Sequence, residues 1–285
     1  MIRLAPRDDR YPVRLRRLGR PPDPLWIWGE LPPDGAPTVG IVGTRRLTDY
    51  GRRIAREISM ALSRAGATVV SGLAHGVDSV AHTAALEAGG RTIAVLGEGI
   101  AHFADHGAVR RRQLAQRIRK QGALVSEYDL DLRGTEWTFP RRNLTLAALS
   151  DALVVVEAPE GSGALLTADH ATRLRHPLFI VPGPLDGVTW AGSNRWIAEG
   201  RGKFLSSAQQ VADALSLGPI PPVGQRSDNA LTERLMALLA AEPVDMDRIA
   251  ATLGIRPVEA TTLVAEHVIA GRLSPTPDGR FARVA

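Results

Sequence analysis

TVGIVGTRRLTDYGRRIA, Thr38–Ala55, is the stretch that decides the fold. TVGIV is small or β-branched without a polar break, which predicts a strand buried on both faces. Gly43 and Thr44 turn the chain, and DYGRRIA opens an amphipathic helix. A strand, a glycine turn and a helix N-terminus make a ready anion site, because free N–H groups and the helix dipole point at the same spot. The turn has neither the lysine of a P-loop nor the glycine spacing of a dinucleotide fingerprint. It offers Arg45 and Arg46 instead.

The same alternation continues downstream. Apolar runs recur at ATVVS, TIAVL, ALVS, ALVVVEA and PLFIVP. Between most of them lie helix-length segments: VDSVAHTAALEAG, VRRRQLAQRIRKQG and GALLTADHATRLR. Apolar strands alternating with amphipathic helices predict an α/β domain over residues 38–217, a doubly wound, mostly parallel sheet with an extended Rossmann-like layout. Asp49 and Ser162 stand where N-caps belong, and Gly66, Gly89 and Gly122 where helices should stop. Residues 1–37 are rich in proline and arginine around PLWIWGEL and read as an arm whose short strand docks on the core, with Trp26 and Trp28 as packing residues. Residues 218–230 have the composition of a linker. Residues 231–285 read as three short helices and a two-stranded hairpin, the pattern of a winged helix. Its third helix carries Glu259, Glu266 and only His267 as a potential cation, which suits protein contact better than duplex reading.

The 285 residues can bury a sizeable core, and the absence of cysteine excludes disulfides and thiolate metal sites. No apolar run approaches the roughly 20 residues of a membrane span. The first residues lack the apolar core of a signal peptide, and a cytoplasmic location without membrane contact is expected. The net charge of +5 permits an anionic partner. Lys120 and Lys203 are the only lysines, so the positive charge is arginine, whether from codon bias or from its aptitude for phosphate.

Ligands of an open parallel sheet sit beyond the carboxyl ends of its strands. The loops there are GTRR, SGLAHGVDSVAH, EAPEGSGALLT and PGPLDGVTWAGSNRWI, dominated by glycines and hydroxyls. In TEWTFPRRNLTLAALSD, Phe139 precedes Arg141, Arg142 and Asn143. An aromatic beside arginines suits single-stranded nucleic acid; alternatively, Phe139 packs in the core and one arginine pairs with Asp151 or Glu157. His75, Asp78 and His82 could suggest a metal or a general base, but no carboxylate-rich set accompanies them, and Asp78 is better placed to bond loop amides. Ser71 and Ser162 lack a nucleophile elbow. Glu157 ends a strand where a catalytic acid could sit, without a visible partner.

Taken together these pieces resemble the DprA family, also called Smf, the DNA-processing proteins of natural transformation. The resemblance runs from YPVRLRRLGRPPDPLWIWG through GIVGTRRLTDYG, SGLAHGVDSVAH, TIAVLGEGI, LVSEY, FPRRN, LVVVEAPEGSGALLTA and VPGPLDG to GSNRWIAEG, roughly Tyr11–Leu205. It implies single-stranded DNA binding without sequence preference, loading of the RecA recombinase, an exchange with single-strand binding protein, homodimers, and neither catalysis nor a cofactor. It implies a DNA site at Gly43, Thr44, Arg45, Phe139, Arg142, Asn143, Ser162 and Gly163. Arg46, Ser71, Gly72, Arg141 and Thr167 stand beside these and complete the candidate set. Leu144 replaces an arginine of the family pattern, His176 another, and Arg201 an alanine; the tyrosine-proline motif after TIAVLG is missing. Arg46, Arg141 or Arg173 could supply the relocated charge. A phosphoribohydrolase of related architecture is the alternative, but its PGGxGTxxE signature is altered here to APEGSGALLTADH. A duplex-DNA repressor role for the tail is a third reading.

Overall fold

The computed structural model describes residues 1–220, 225–240 and 242–284. They form two compact units, Met1–Ile220 and Pro221–Ala285. The strands of the first are β1 (Ile2–Leu4), β2 (Leu25–Gly29), β3 (Thr38–Gly43), β4 (Thr68–Ser71), β5 (Thr92–Val95), β6 (Ala123–Ser126), β7 (Ala152–Val156), β8 (Leu178–Ile180) and β9 (Lys203–Phe204). Its helices are α1 (Val13–Arg16), α2 (Asp49–Arg64), α3 (Val77–Glu87), α4 (Ile100–His106), α5 (Val109–Gln121), α6 (Thr138–Ala148), α7 (Gly163–Arg173), α8 (Ala191–Ala198) and α9 (Ala208–Ala214), with a 3-10 turn at Val188–Trp190.

One sheet runs in the order β1-β2-β6-β5-β4-β3-β7-β8-β9. Neighbours from β6 to β9 are parallel, and β2 and β1 join as antiparallel edge strands. The sequence pattern therefore identified the α/β class and the parallel core. Side chains of a strand alternate between faces. Val39 and Ile41 accordingly pack with Ala55, Ile58 and Leu62 of α2, while Val42 packs with Leu146 of α6 and Leu165 of α7. The chain steps outward from β3 to β6, then returns to lay β7 beside β3. That reversal opens a crevice between the carboxyl ends of β3 and β7.

The cap of α2 differs from the sequence reading. Thr48, not Asp49, is the N-cap, its Oγ1 accepting from the Gly51 N–H at 3.0 Å. Asp49 lies in the first turn, where its charge favours the dipole. Gly66 and Gly89 adopt the left-handed conformation just past α2 and α3. Trp26 and Trp28 are half-buried against the cluster of Phe103 and Ile118, and Arg119 lies 4.8 Å over the Trp28 ring.

In the second unit α10 (Gln225–Leu238), α11 (Met246–Leu253) and α12 (Pro257–Ile269) precede a hairpin of β10 (Leu273–Pro275) and β11 (Phe281–Arg283). Leu235, Ile249, Leu263 and Val264 form its core. Residues 221–224 of the stretch read as a linker lie outside the described residues. The helix α10 starts at Gln225, six residues before the expected Leu231, because its polar first turns carry no apolar periodicity to read.

Asp151 ties the first residues of the chain to the start of β3. It accepts from Arg14 Nε and Nη2 at 2.8 and 2.7 Å and from the Thr38 N–H and hydroxyl at 2.9 Å each. Burial pushes its carboxyl up, and the Arg14 and Thr38 bonds outweigh that, holding it below the ordinary aspartate value. The stabilisation is therefore present above the unfolded value of about 3.9 and is lost as pH falls through the lower folded one. Asp151→Asn should cost about 1–3 kcal/mol at pH 7 and less at pH 3, below the unfolded value. Denaturant titrations of both proteins at the two pH values check this.

Candidate nucleic-acid interface

At the β3–β7 crevice the backbones approach closely. A Cβ on Gly43 would strike the Val156 carbonyl and the Val77 side chain. The next N–H, of Thr44, donates to the Glu157 carbonyl at 2.7 Å. Gly76, at φ +85°, lies under this turn, where a Cβ would stand 2.7 Å from Arg45 Cα. The Val77 N–H donates to the Thr44 carbonyl at 3.2 Å. So fixed, the turn presents Arg45 and Arg46 as exposed side chains, with no hydrogen bond or ion pair from either guanidinium among the described residues.

Glu157 is 0% exposed. Its carboxylate accepts from the Thr48 N–H at 3.0 Å, from Thr48 Oγ1 at 2.9 Å and from Thr189 Oγ1 at 2.6 Å. The acid that could have been catalytic is a clamp on the first residues of α2.

The loops enclose a cleft of about 1190 Å³. Of the residues singled out in the sequence, Gly43, Thr44, Arg45, Arg46, Gly72, Phe139, Arg142, Asn143, Ser162, Gly163 and Thr167 line it. Ser71 and Arg141 do not. The Ser71 hydroxyl is buried and donates to the Ile41 carbonyl at 2.7 Å, joining β4 to β3. Arg141 points outward and donates from Nε to Glu127 at 3.1 Å, because successive helical residues diverge by about 100°. Leu144, His176 and Arg201 also lie off the cleft; Arg201 stacks 3.7 Å over Trp196 and pairs with Asp169.

Arg142 is 6% exposed at the floor. Its Nη1 donates to the Gly72 carbonyl at 2.8 Å and to the Val95 carbonyl. Asp78 accepts from the Gly72 and Ala74 N–H groups at 3.1 and 3.2 Å, and a Cβ on Gly72 would lie 2.7 Å from both it and Arg142. Asp78 is the acid whose charge acts on Arg142, without a direct ion pair between them; the guanidinium is bonded by the Gly72 and Val95 carbonyls. Asp151 belongs to Arg14 and Glu157 to the two threonines, so neither pairs with an arginine of FPRRN. Burial pushes the Asp78 carboxyl up, and Arg142 pulls it back only in part. Burial lowers Arg142, Asp78 offsets this, and Arg111 and Arg45 lower it further.

Arg111 and Arg133 line the cleft too, and the sequence reading missed both. Arg111 donates from Nε to the Leu73 carbonyl at 2.8 Å, and its Nη2 lies 3.9 Å from Glu98. Burial lowers its pKa, with Glu98 opposing and Arg45 adding to the shift. The signal was RRR at a helix start without an acid. Arg133 sits in a loop without periodicity and left no such signal.

Phe139 is half-buried: a Cβ on Gly134 would lie 2.9 Å from its Cζ, and one on Gly97 would overlap the ring. The residue packs against these glycines and lines the cleft, so the two readings of it are compatible. Ser162 takes the N-cap position of α7 without a side-chain cap, and the first N–H groups of α7 have no intrahelical acceptor. His75 lines the cleft, whereas His82 is fully buried, its Nδ1 2.7 Å from Thr92 Oγ1. Burial, then Arg142, lowers His82 to about 3, so it is neutral. Among the described residues no three His, Asp or Glu gather to hold a metal.

These environments separate two kinds of arginine. Asp78→Ala leaves the Gly72 and Ala74 N–H groups unpaired, and Arg142→Ala leaves the Gly72 and Val95 carbonyls unpaired; each should destabilise the unit by about 1–3 kcal/mol. Arg45→Ala, at an exposed site, should stay within about 0.5 kcal/mol of the parent. Urea unfolding of the three variants measures the difference.

Residues 3–216 match the family described as DNA recombination-mediator protein A. The Smf protein of Synechocystis is 35% identical over 322 residues, covering 98% of this chain and 79% of that one. A structure of DNA processing protein A from Helicobacter pylori, reported for its single-stranded DNA binding mode, superposes with a TM-score of 0.66 at 27% identity, over 75% of this chain and 95% of that one. The X-ray structure of DprA from Streptococcus pneumoniae gives 0.65 at 31% identity, over 72% and 71%. The chain belongs to the DNA recombination-mediator protein A family, DprA/Smf.

Proposed function

We propose that the cleft binds single-stranded DNA irrespective of sequence and passes the strand to a RecA-type recombinase. The observation that carries this reading is the contrast between free and engaged groups. The guanidiniums of Arg45, Arg46 and Arg133 have no partner among the described residues. The hydrogen-bonding side chains around them are largely occupied. Asn143 Nδ2 donates to the Gly163 carbonyl at 3.2 Å, Thr167 to the same oxygen at 3.1 Å, and Thr44 Oγ1 accepts from the Arg46 N–H at 3.1 Å. Asn143, Thr167 and Thr44 are thus committed to the fold, while Ser162 Oγ has no partner among the described residues. Free charge attracts any phosphate, and an aromatic stacks on any base. The family's description as a recombination mediator and the Helicobacter pylori relative's single-stranded DNA binding support the same reading.

The protein acts by binding, as a homodimer, without catalysis or a cofactor, and exchanges with single-strand binding protein. The second unit is a winged-helix module for protein contact. Its α12 has Glu259 and Glu266 and no lysine or arginine, and residues 221–285 carry seven arginines against eight acids. No described helix is long and apolar enough to cross a membrane.

The test is a salt-resolved anisotropy titration against single-stranded, double-stranded and mononucleotide ligands. Arg45→Ala and Arg46→Ala should each reduce the slope of log affinity against log salt by about 0.7. Phe139→Ala should lose about 1–3 kcal/mol with the slope unchanged. Parental binding by both arginine variants would place the DNA elsewhere. Release of free base from nucleoside monophosphates would make the protein an enzyme. In reactions started on strands covered by single-strand binding protein, the parent should speed RecA filament growth and Arg45→Ala should not.

A further inference from the structure

The helix α5, VRRRQLAQRIRKQ, carries six cations and no acid. Three are engaged. Arg111 bonds the Leu73 carbonyl and lines the cleft, Arg112 donates to the Ala104 carbonyl at 3.2 Å, and Arg119 covers Trp28. Arg110, Arg117 and Lys120 are exposed and have no hydrogen bond, ion pair or ring contact among the described residues. Elsewhere in this unit several helical arginines meet acids, Arg53 with Glu57, Arg56 with Glu87, Arg173 with Asp169 and Arg195 with Glu160, while Arg52 and Arg64 of α2 stand singly among the described residues.

The three free cations are not scattered. At 3.6 residues per turn Arg110, Gln113, Arg117 and Lys120 fall within about 80° of arc, forming one stripe about 15 Å long. Leu114, Ala115 and Ile118 occupy the buried face. Since α5 leads into the parallel strand β6, its N-terminus stands at the carboxyl edge of the sheet, where Arg111 reaches the cleft. The stripe therefore starts beside the cleft and runs away from it.

This arrangement opposes helix stability. Three arginines occupy the first turn, next to the positive end of the dipole, without an acid or a side-chain cap. Glu98, 3.9 Å from Arg111, and the Leu73 and Ala104 carbonyls compensate Arg111 and Arg112 in part, but nothing among the described residues compensates Arg110; a local rule broken there marks a place where function is expected. The broken rule concentrates positive potential at the cleft mouth, and a polyanion would relieve it.

We infer that Arg110, Arg117 and Lys120 form a second phosphate track, which receives the single strand where it leaves the cleft and carries it along α5. The inference rests on the single-strand reading of the cleft and adds a longer footprint.

The experiment compares the full chain with the triple variant Arg110→Gln, Arg117→Gln, Lys120→Gln. The probes are oligothymidylates of about 6 and about 20 nucleotides, the shorter within the site size of a single-strand groove. A second triple variant, Arg7→Gln, Arg17→Gln, Arg20→Gln, removes the same charge from other exposed positions of the unit. Circular dichroism verifies that all are folded. The α5 variant should bind the short oligonucleotide like the parent and the long one more weakly, with a salt slope reduced by about 2. The control variant should bind both like the parent. If the α5 variant keeps the parental slope on the long strand, loses equally on both lengths, or is matched by the control, the track is wrong while the cleft reading stands. If the parent binds neither oligonucleotide, the cleft reading falls and the track with it.

Discussion

The site depends on the close contact of β3 with β7. Only a residue without a side chain fits at Gly43 against the Val156 carbonyl, and that approach puts the Thr44 N–H on the Glu157 carbonyl. Glu157 itself sits at φ +51°, a left-handed conformation that costs a non-glycine residue about 1–3 kcal/mol. Its carboxylate offsets that cost by accepting bonds from Thr48 and Thr189. One residue thereby joins β7, the cap of α2 and the chain before α8. The arginine turn between them has no freedom to collapse onto a neighbouring acid, and its charges remain free for a ligand.

The electrostatics follow from burial. Arg142 and Arg111 are held by backbone carbonyls, with Asp78 and Glu98 near enough to compensate part of the desolvation. Arg45 acts on both through the cleft, so the three guanidiniums repel one another in a partly dry space. Buried cations set the potential at the floor, and exposed Arg45, Arg46 and Arg133 supply movable contacts at the rim. A phosphate entering such a site meets a field already built into the fold, so little rearrangement opposes binding.

Much of this was legible in the sequence, for identifiable reasons. Strands buried on both faces leave uninterrupted β-branched runs, so β3 to β8 stood out. Glycines of the phosphate-type loops marked the carboxyl edge. What escaped was set by direction rather than type. Arg141 and Arg142 are adjacent in FPRRN, but only the helical angle decides that one reaches Gly72 and the other Glu127. Ser71 is a loop-edge hydroxyl by sequence and an interstrand bond in space. Arg111 shares the face of Leu114, Ala115 and Ile118 by helical spacing, a signal that its charge masks when the helix start is read by residue type alone.

The departures from the family pattern bear on how the site can drift. Leu144, His176 and Arg201 all lie outside the cleft lining, and Arg201 is spent on Trp196 and Asp169. The cleft is nevertheless rich in arginine, from Arg46, Arg111 and Arg133, each on a different loop or helix. A site that reads a base edge needs its donors within a few tenths of an ångström of fixed positions. A site that holds a flexible polyanion needs only a sufficient potential along the path. Charge can therefore move between loops while the backbone frame, from Gly43 to Glu157, stays fixed.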